Sequence, residues 1–280
     1  MDENRHVGVA LKASTIWFES IAGGVGKSVL AANAAFEIAA LGHRVCLLEL
    51  DEELPSIHDY FGLPHRQAAV LAGMRLLQQE RLDDEQLQAL CTRLVVRGIA
   101  IDFLSGFGLP DADLDFELLE LFIEQVSLSF DYLVIDTAAK ASHELKGISQ
   151  KLANRRVLVV AADQVGIARL GSAIAGTAAA ISGAWAAPAG PWAANSHHPD
   201  LGQMEIVLNR ADLSAAAARS EGQLRKQVRD LTAIPVAAVI PRDSVFDEAA
   251  SRGLPLRQVS QKSKALSVIG ELALRLVSSL

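Results

Sequence analysis

Gly23-Gly24-Val25-Gly26-Lys27-Ser28 is the stretch whose residue types and order could do the most chemistry. Glycines let the backbone wrap closely around phosphate oxygens, and successive N–H groups and a helix N-terminus point at the anion. In such a loop Lys27 reaches the β- and γ-phosphates, and the Ser28 hydroxyl is placed to ligate Mg²⁺. An ordinary glycine-rich strand-to-helix turn explains the glycines but gives no reason for Lys27 followed by Ser28. The expected ligands are therefore ATP and Mg²⁺, with Gly23, Gly24, Val25, Gly26, Lys27 and Ser28 around the phosphates.

A second signal is Phe130-Asp131-Tyr132-Leu133-Val134-Ile135-Asp136-Thr137, an apolar strand that ends in a carboxylate. Asp136 should lie at the C-terminal edge of the sheet beside the glycine-rich loop, where the water shell of Mg²⁺ needs an oxygen ligand or an acceptor. The third signal is Leu48-Glu49-Leu50-Asp51, another apolar strand running into acidic residues and followed by Leu54-Pro55-Ser56. Asp51 can orient the water that attacks a γ-phosphate and stand near the metal. On the residues alone, a solvated acidic turn over Glu49 to Glu53 explains the same pattern.

These groups need a sheet to bring them together, and the sequence supplies one. Near-continuous apolar runs at Thr15–Ser20, Arg44–Leu50, Ile101–Leu104, Tyr132–Asp136, Val157–Ala161, Met204–Asn209 and Val236–Ile240 alternate with helical patterns. That alternation predicts repeated βαβ units: an α/β fold with a single doubly wound, mainly parallel sheet and helices on both faces; with the Gly23–Ser28 loop after its first strand, this is the expected layout of a P-loop NTPase. The first helix should run from Lys27 to about Leu41 and stop at Gly42. With 280 residues, half of them hydrophobic, the chain is read as a flexible N-terminus over 1–14 and one domain over 15–280. An uncharged Ala/Gly/Pro/Trp insertion is expected at about 182–203.

Composition narrows the partners. The formal net charge of −7 disfavours nucleic acid, whose binders usually carry a surplus of Lys and Arg. From Leu170 to Pro199 there is no charged residue, but the stretch is Ala, Gly and Ser with Pro188 and Pro191 inside it. It is read as a buried Ala-rich helix and a loop rather than a membrane span. Met1–Val7 lacks the basic start and apolar core of a signal peptide, and Cys46 and Cys91 lack paired spacing, so the expected location is the cytoplasm.

In order and spacing, the phosphate loop, Glu49-Leu50-Asp51, the Asp136 strand, Leu208-Asn209-Arg210, Ile240-Pro241-Arg242-Asp243, Ala249-Ala250 and Gly253-Leu254-Pro255 resemble the deviant-Walker ATPases of the MinD/ParA superfamily. The resemblance covers Thr15 to the C-terminus. It implies an ATP-dependent homodimer, with Asp51 and Lys27 in catalysis, Ser28, Asp136 and Asp51 at Mg²⁺, and Asn209, Arg210 and the backbone near Pro241 at the base. Pro55-Ser56 through Phe61-Gly62-Leu63, with Asp102-Phe103-Leu104-Ser105-Gly106, looks most like the TadZ/CpaE branch, which positions pilus-assembly machinery, and its septum-site relatives. Partition ATPases, flagellar-number regulators and cellulose-synthesis accessory ATPases share the same core motifs.

Two positions depart from the family. The lysine that precedes the paired glycines is replaced by Ala22, and Glu49 stands where the family usually has Asp. In the family that lysine reaches the partner's phosphate, so its loss removes a charge that stabilises the transferring phosphoryl group. The expected activity is slow hydrolysis of ATP to ADP and phosphate, in a switch that engages a protein of a pilus, secretion or division machine. Alternatives are a nucleotide-binding scaffold without turnover, a partition or flagellar-number ATPase, or a metabolic enzyme. An electron carrier would need cluster cysteines, and none follows Cys91.

Three further features receive plainer readings. Leu266, Ile269, Ala273, Leu276 and Leu280 form a helical stripe expected to pack on the core rather than on a membrane, whose contact is expected to be indirect or weak. Arg219, Arg225, Lys226 and Arg229, diluted by Glu221 and Asp230, read as a solvated face. Trp185 and Trp192 are either partner anchors or part of a folded-back loop, and the seven histidines show no metal spacing.

Overall fold

The computed structural model describes residues 12–51, 56–63, 68–106, 114–139, 141–182, 204–214 and 219–278. Strand β1 (Ser14–Ser20) leads through the glycine-rich loop into α1 (Lys27–Ala40), and β2 (Val45–Leu50) precedes the short α2 (Ser56–Tyr60). Helices α3 (Ala69–Gln78) and α4 (Asp84–Leu90) come before the hairpin of β3 (Thr92–Val96) and β4 (Ile99–Ser105). Next are α5 (Phe116–Val126), β5 (Tyr132–Thr137), α6 (His143–Leu152), β6 (Arg155–Ala161) and α7 (Gln164–Ser182). Then follow β7 (Met204–Ala211), α8 (Glu221–Thr232), β8 (Val236–Pro241), α9 (Val245–Arg252), α10 (Leu256–Val259) and α11 (Lys264–Ser278).

One sheet holds these strands in the order β3-β4-β2-β5-β1-β6-β7-β8. Every pairing is parallel except β3 with β4. From β1 the chain crosses over β5 to reach β2, whereas its later strands build outward through β6, β7 and β8. The direction of winding therefore reverses beside β1, and a crevice opens at the C-terminal ends of the strands there, where ligands bind in open α/β sheets.

Both faces are covered, which is why the strands read as continuous apolar runs. Ile16, Phe18, Leu47, Val134 and Val159 point into one core, shared with α1 and α11. Trp17, Leu48, Leu133 and Ile135 point the other way, toward α3, α5 and α6, and Leu158, Val160 and Leu208 meet α7 and α8. The α11 stripe packs as its spacing predicts, with Leu266, Ile269, Ala273 and Leu276 buried; Leu280 lies outside the described residues.

Two expectations need correction. Strand β3 was not foreseen: it is an edge strand with a half-exposed alternating pattern, turned by Arg97 and Gly98 at φ of 51° and 80°. Two positive φ values suit a tight hairpin, but Arg-Gly is a weaker signal than Asn-Gly. Helix α7 is not buried over 164–175, where Ile167 and Leu170 are its buried residues and Val165 is 59% exposed. Alanines carry too little apolar surface to require burial, so only the stripe that meets the sheet is covered. Cys91 caps the end of α4, and burial pushes its thiol up to about 12. The insertion with Trp185 and Trp192 lies outside the described residues, among which no helix is long and apolar enough to cross a membrane.

Candidate functional site

The glycine-rich loop joins the end of β1 to α1 at the reversal point of the sheet. Gly24 and Gly26 adopt φ of 73° and 85°, a left-handed conformation that costs other residues roughly 1–2 kcal/mol. Gly26 is under a second constraint. A Cβ there would sit 2.6 Å from Asn209 Nδ2, the atom that donates to Val25 O at 2.8 Å. Asn209 thus clamps the phosphate loop from β7, while its Oδ1 accepts the Arg210 N–H at 2.9 Å. Gly26→Ala should displace the clamp and strain the turn together. A loss of nucleotide affinity of about tenfold or more, or ~1.4 kcal/mol, is expected by calorimetry, with the far-ultraviolet circular dichroism unchanged; full affinity would show that the loop tolerates the side chain.

Lys27 and Asp136 meet at the base of the loop. Both are buried, and Lys27 Nζ is paired with Asp136 Oδ1 while lying 3.3 Å from Ser28 Oγ. The parallel register explains the meeting: Asp136 is opposite Phe18 of β1 and Glu49 of β2, so the loop, Asp136 and the Glu49–Asp51 segment share one sheet edge. Burial raises the pKa of Asp136, Lys27 and the Ser28 hydroxyl pull it back, and the charge of Asp51 raises it again.

Asp136 Oδ2 is buried without a hydrogen-bond partner. An orphaned oxygen of this kind costs about 1–3 kcal/mol or more and calls for a partner, as a bound ion or water would supply. The donor set fits Mg²⁺, which takes one or two carboxylates and otherwise waters and substrate phosphates. Asp136 and Ser28 would hold it, with Asp51 close enough to be felt electrostatically by Asp136.

Beside the loop, an open cleft of about 380 Å³ is lined by Gly26, Asn209, Arg210, Pro241, Arg242 and Phe246, among others. Along this cleft the β7–β8 pairing is irregular between Leu208 and Ala211, where Arg210 takes a φ of 59°. Three predicted base-side residues, Asn209, Arg210 and Pro241, line this one cleft. Ala22 is half-buried and packs against the α1-side core.

Sequence reasoning missed His58. Buried on α2, it lies 3.4 Å from Glu49 Oε2 and 3.2 Å from Ser105 Oγ through the same Nδ1. Burial raises the pKa of Glu49, while hydrogen bonds from His58 and the Ile57 N–H lower it. No spacing rule for metals or nucleophiles would have found this contact, because it joins a strand end to the next helix across residues 52–55.

A strand-to-helix phosphate loop with a buried lysine, set against a strand-end carboxylate at the reversal point, defines a P-loop nucleotide-binding protein. The sequence model of the CobQ/CobB/MinD/ParA nucleotide binding domain matches residues 16–256, and the chain belongs to that family. A putative septum site-determining protein MinD from Guillardia theta is 24% identical over 241 residues, covering 84% of this chain and 77% of the relative. The crystal structure of a ParA family ATPase from Chlorobium tepidum superposes with a TM-score of 0.70 at 19% identity, covering 93% of this chain and 98% of that one. The septum site-determining protein MinD from Pyrococcus horikoshii, complexed with Mg-ADP, gives 0.63 at 17% identity, covering 95% and 96%.

Proposed function

We propose that the chain binds Mg-ATP and hydrolyses it slowly, as a nucleotide-dependent dimer switch that positions a cellular machine. The observation that carries this reading is the buried Lys27–Asp136 pair at the phosphate loop, with one carboxylate oxygen left over. Loop N–H groups bind the phosphates, and Lys27 leaves Asp136 for the β/γ oxygens. That exchange frees Asp136 to accept hydrogen bonds or to ligate. Bound Mg²⁺ supplies neutralisation of the charge spread over the phosphate oxygens. The base occupies the cleft of Asn209, Arg210 and Pro241, and Asp51 orients the attacking water.

The partner reading is a second copy of the chain together with a protein of a pilus, secretion or division machine, on the TadZ/CpaE-like resemblance. Such a switch works from the cytoplasm and reaches a pole, septum or inner membrane through that partner. A nucleic-acid role is disfavoured by the acidic balance and by α8, where Arg225 pairs with Glu221 and Lys226 with Asp230. A scaffold without turnover is the second reading, supported by Ala22 packing on the core. Calorimetry with Mg-ATP and sedimentation with and without nucleotide test the proposal. No binding overturns it, and binding to a chain that stays monomeric removes the dimer switch.

Asp51→Ala separates the roles further. Affinity for ATP should stay within about twofold while turnover falls about tenfold or more, as for a group that acts mainly in the transition state. Parental turnover would reduce Asp51 to a surface acid.

A further inference from the structure

Three elements converge on one buried carboxylate next to the candidate site. Glu49, at the C-terminal end of β2, is fully buried. Its Oε1 accepts the Ile57 N–H in the first turn of α2 at 2.9 Å, and its Oε2 approaches His58 Nδ1 at 3.4 Å. Ser105, the register neighbour of Glu49 on β4, places its Oγ 3.2 Å from the same ring nitrogen. A nucleophile relay needs the acid and the hydroxyl on opposite nitrogens of the imidazole. Here both crowd Nδ1, so the trio is not a hydrolase triad; its geometry is that of a tether holding α2 to the sheet edge.

We infer that Glu49 is a positioning residue for Asp51: by anchoring α2 to β2 and β4 it fixes both ends of the segment on which Asp51 stands. Asp51 directly follows β2, and only residues 52–55 separate it from α2. An anchor at Ile57 and His58 therefore limits how far Asp51 can drift from Asp136. Catalytic geometry is sensitive to displacements of about 1 Å. Side-chain length decides the anchor. Aspartate at position 49 would fall short by one methylene, about 1.5 Å, and could not keep the Ile57 contact while the strand holds its place. Glutamate in this acidic strand end is thus the residue that can reach the helix.

The inference rests on the proposed ATP hydrolysis for its catalytic consequence, and a mutant cycle on the full chain tests it. Glu49→Asp should lower kcat about tenfold while KM for ATP stays within about twofold. Glu49→Gln keeps the length and an Oε1 acceptor for Ile57, and should recover most of the loss. In the Asp51→Ala background, Glu49→Asp should cost nothing further, because residues that act through one another are not additive. An additive loss, or a Glu49→Asp kcat equal to the parent's, overturns the positioning role. Amide hydrogen exchange over Ser56–Tyr60 without nucleotide reads the tether directly: faster in Glu49→Asp, parental in Glu49→Gln. Unchanged exchange in Glu49→Asp overturns the tether whether or not the chain turns over ATP. Failure of the parent to bind Mg-ATP would instead remove the proposed function and leave the exchange result standing.

Discussion

Lys27→Ala is expected to abolish measurable Mg-ATP binding, a loss of at least about a hundredfold, or ~2.7 kcal/mol. Lys27 is the cation within Gly23–Ser28, and a polyanion in a dry cradle draws much of its affinity from charge-assisted hydrogen bonds. The same substitution acts on the nucleotide-free protein. It removes the cationic partner of Asp136 Oδ1, leaving the Ser28 hydroxyl beside a carboxylate whose other oxygen is already orphaned. Breaking a buried pair from one side typically costs about 3–5 kcal/mol, less here to the extent that Asp136, whose pKa burial raises, takes up a proton. Adding Asp136→Asn removes the stranded charge, so the double variant should regain part of the thermal stability without regaining ATP. Calorimetry and thermal unfolding read the two effects separately. Unchanged affinity in Lys27→Ala would sink the phosphate-loop assignment.

Much of this arrangement was legible in the sequence, for one physical reason. A strand covered on both faces must be apolar throughout, so the seven longer strands announce themselves, and the residues that break each run at its C-terminal end mark the crevice. Asp136, Asp51 and the glycine-rich loop were found in that way. What stayed hidden depends on contacts between distant elements. Glu19 on β1 and Arg156 on β6 are both buried, joined by Nε–Oε1 and Nη2–Oε2 bonds of 3.0 and 2.9 Å. Two opposite charges that cancel across neighbouring strands leave no periodic trace in either. Asn209 lines the base-side cleft, but its amide also holds the loop through Val25 O; that second contact needs the register of β6 and β7, which no local pattern encodes. Edge strand β3 escaped because half its side chains face solvent.

Restoring lysine at position 22 is expected to speed hydrolysis on the order of a hundredfold, about 2.7 kcal/mol of barrier, with little change in ATP affinity. The groups proposed to bind the ground state are in place without it: the left-handed glycines, Lys27, the Ser28 hydroxyl and the carboxylate of Asp136. The lysine that the family's loops carry there serves the charge that shifts during phosphoryl transfer, and interactions made only in the transition state raise kcat rather than affinity. Ala22 leaves no such cation, and its methyl group packs on the core beside α1. A substitute cation would have to come from elsewhere in the chain: Arg242 sits in the base-side cleft with Asn209 and Pro241, and Arg66 lies outside the described residues. The position is half-buried, so a lysine stem can lie along the apolar surface with its ammonium group in the crevice. Single-turnover hydrolysis of the parent and Ala22→Lys, measured side by side, decides the matter. A large gain identifies a weakened ATPase with its remaining machinery intact. Equal rates, both slow, would favour the scaffold reading; equal rates, both fast, would mean that the site is rebuilt around Ala22 and that the weakened-ATPase reading is wrong.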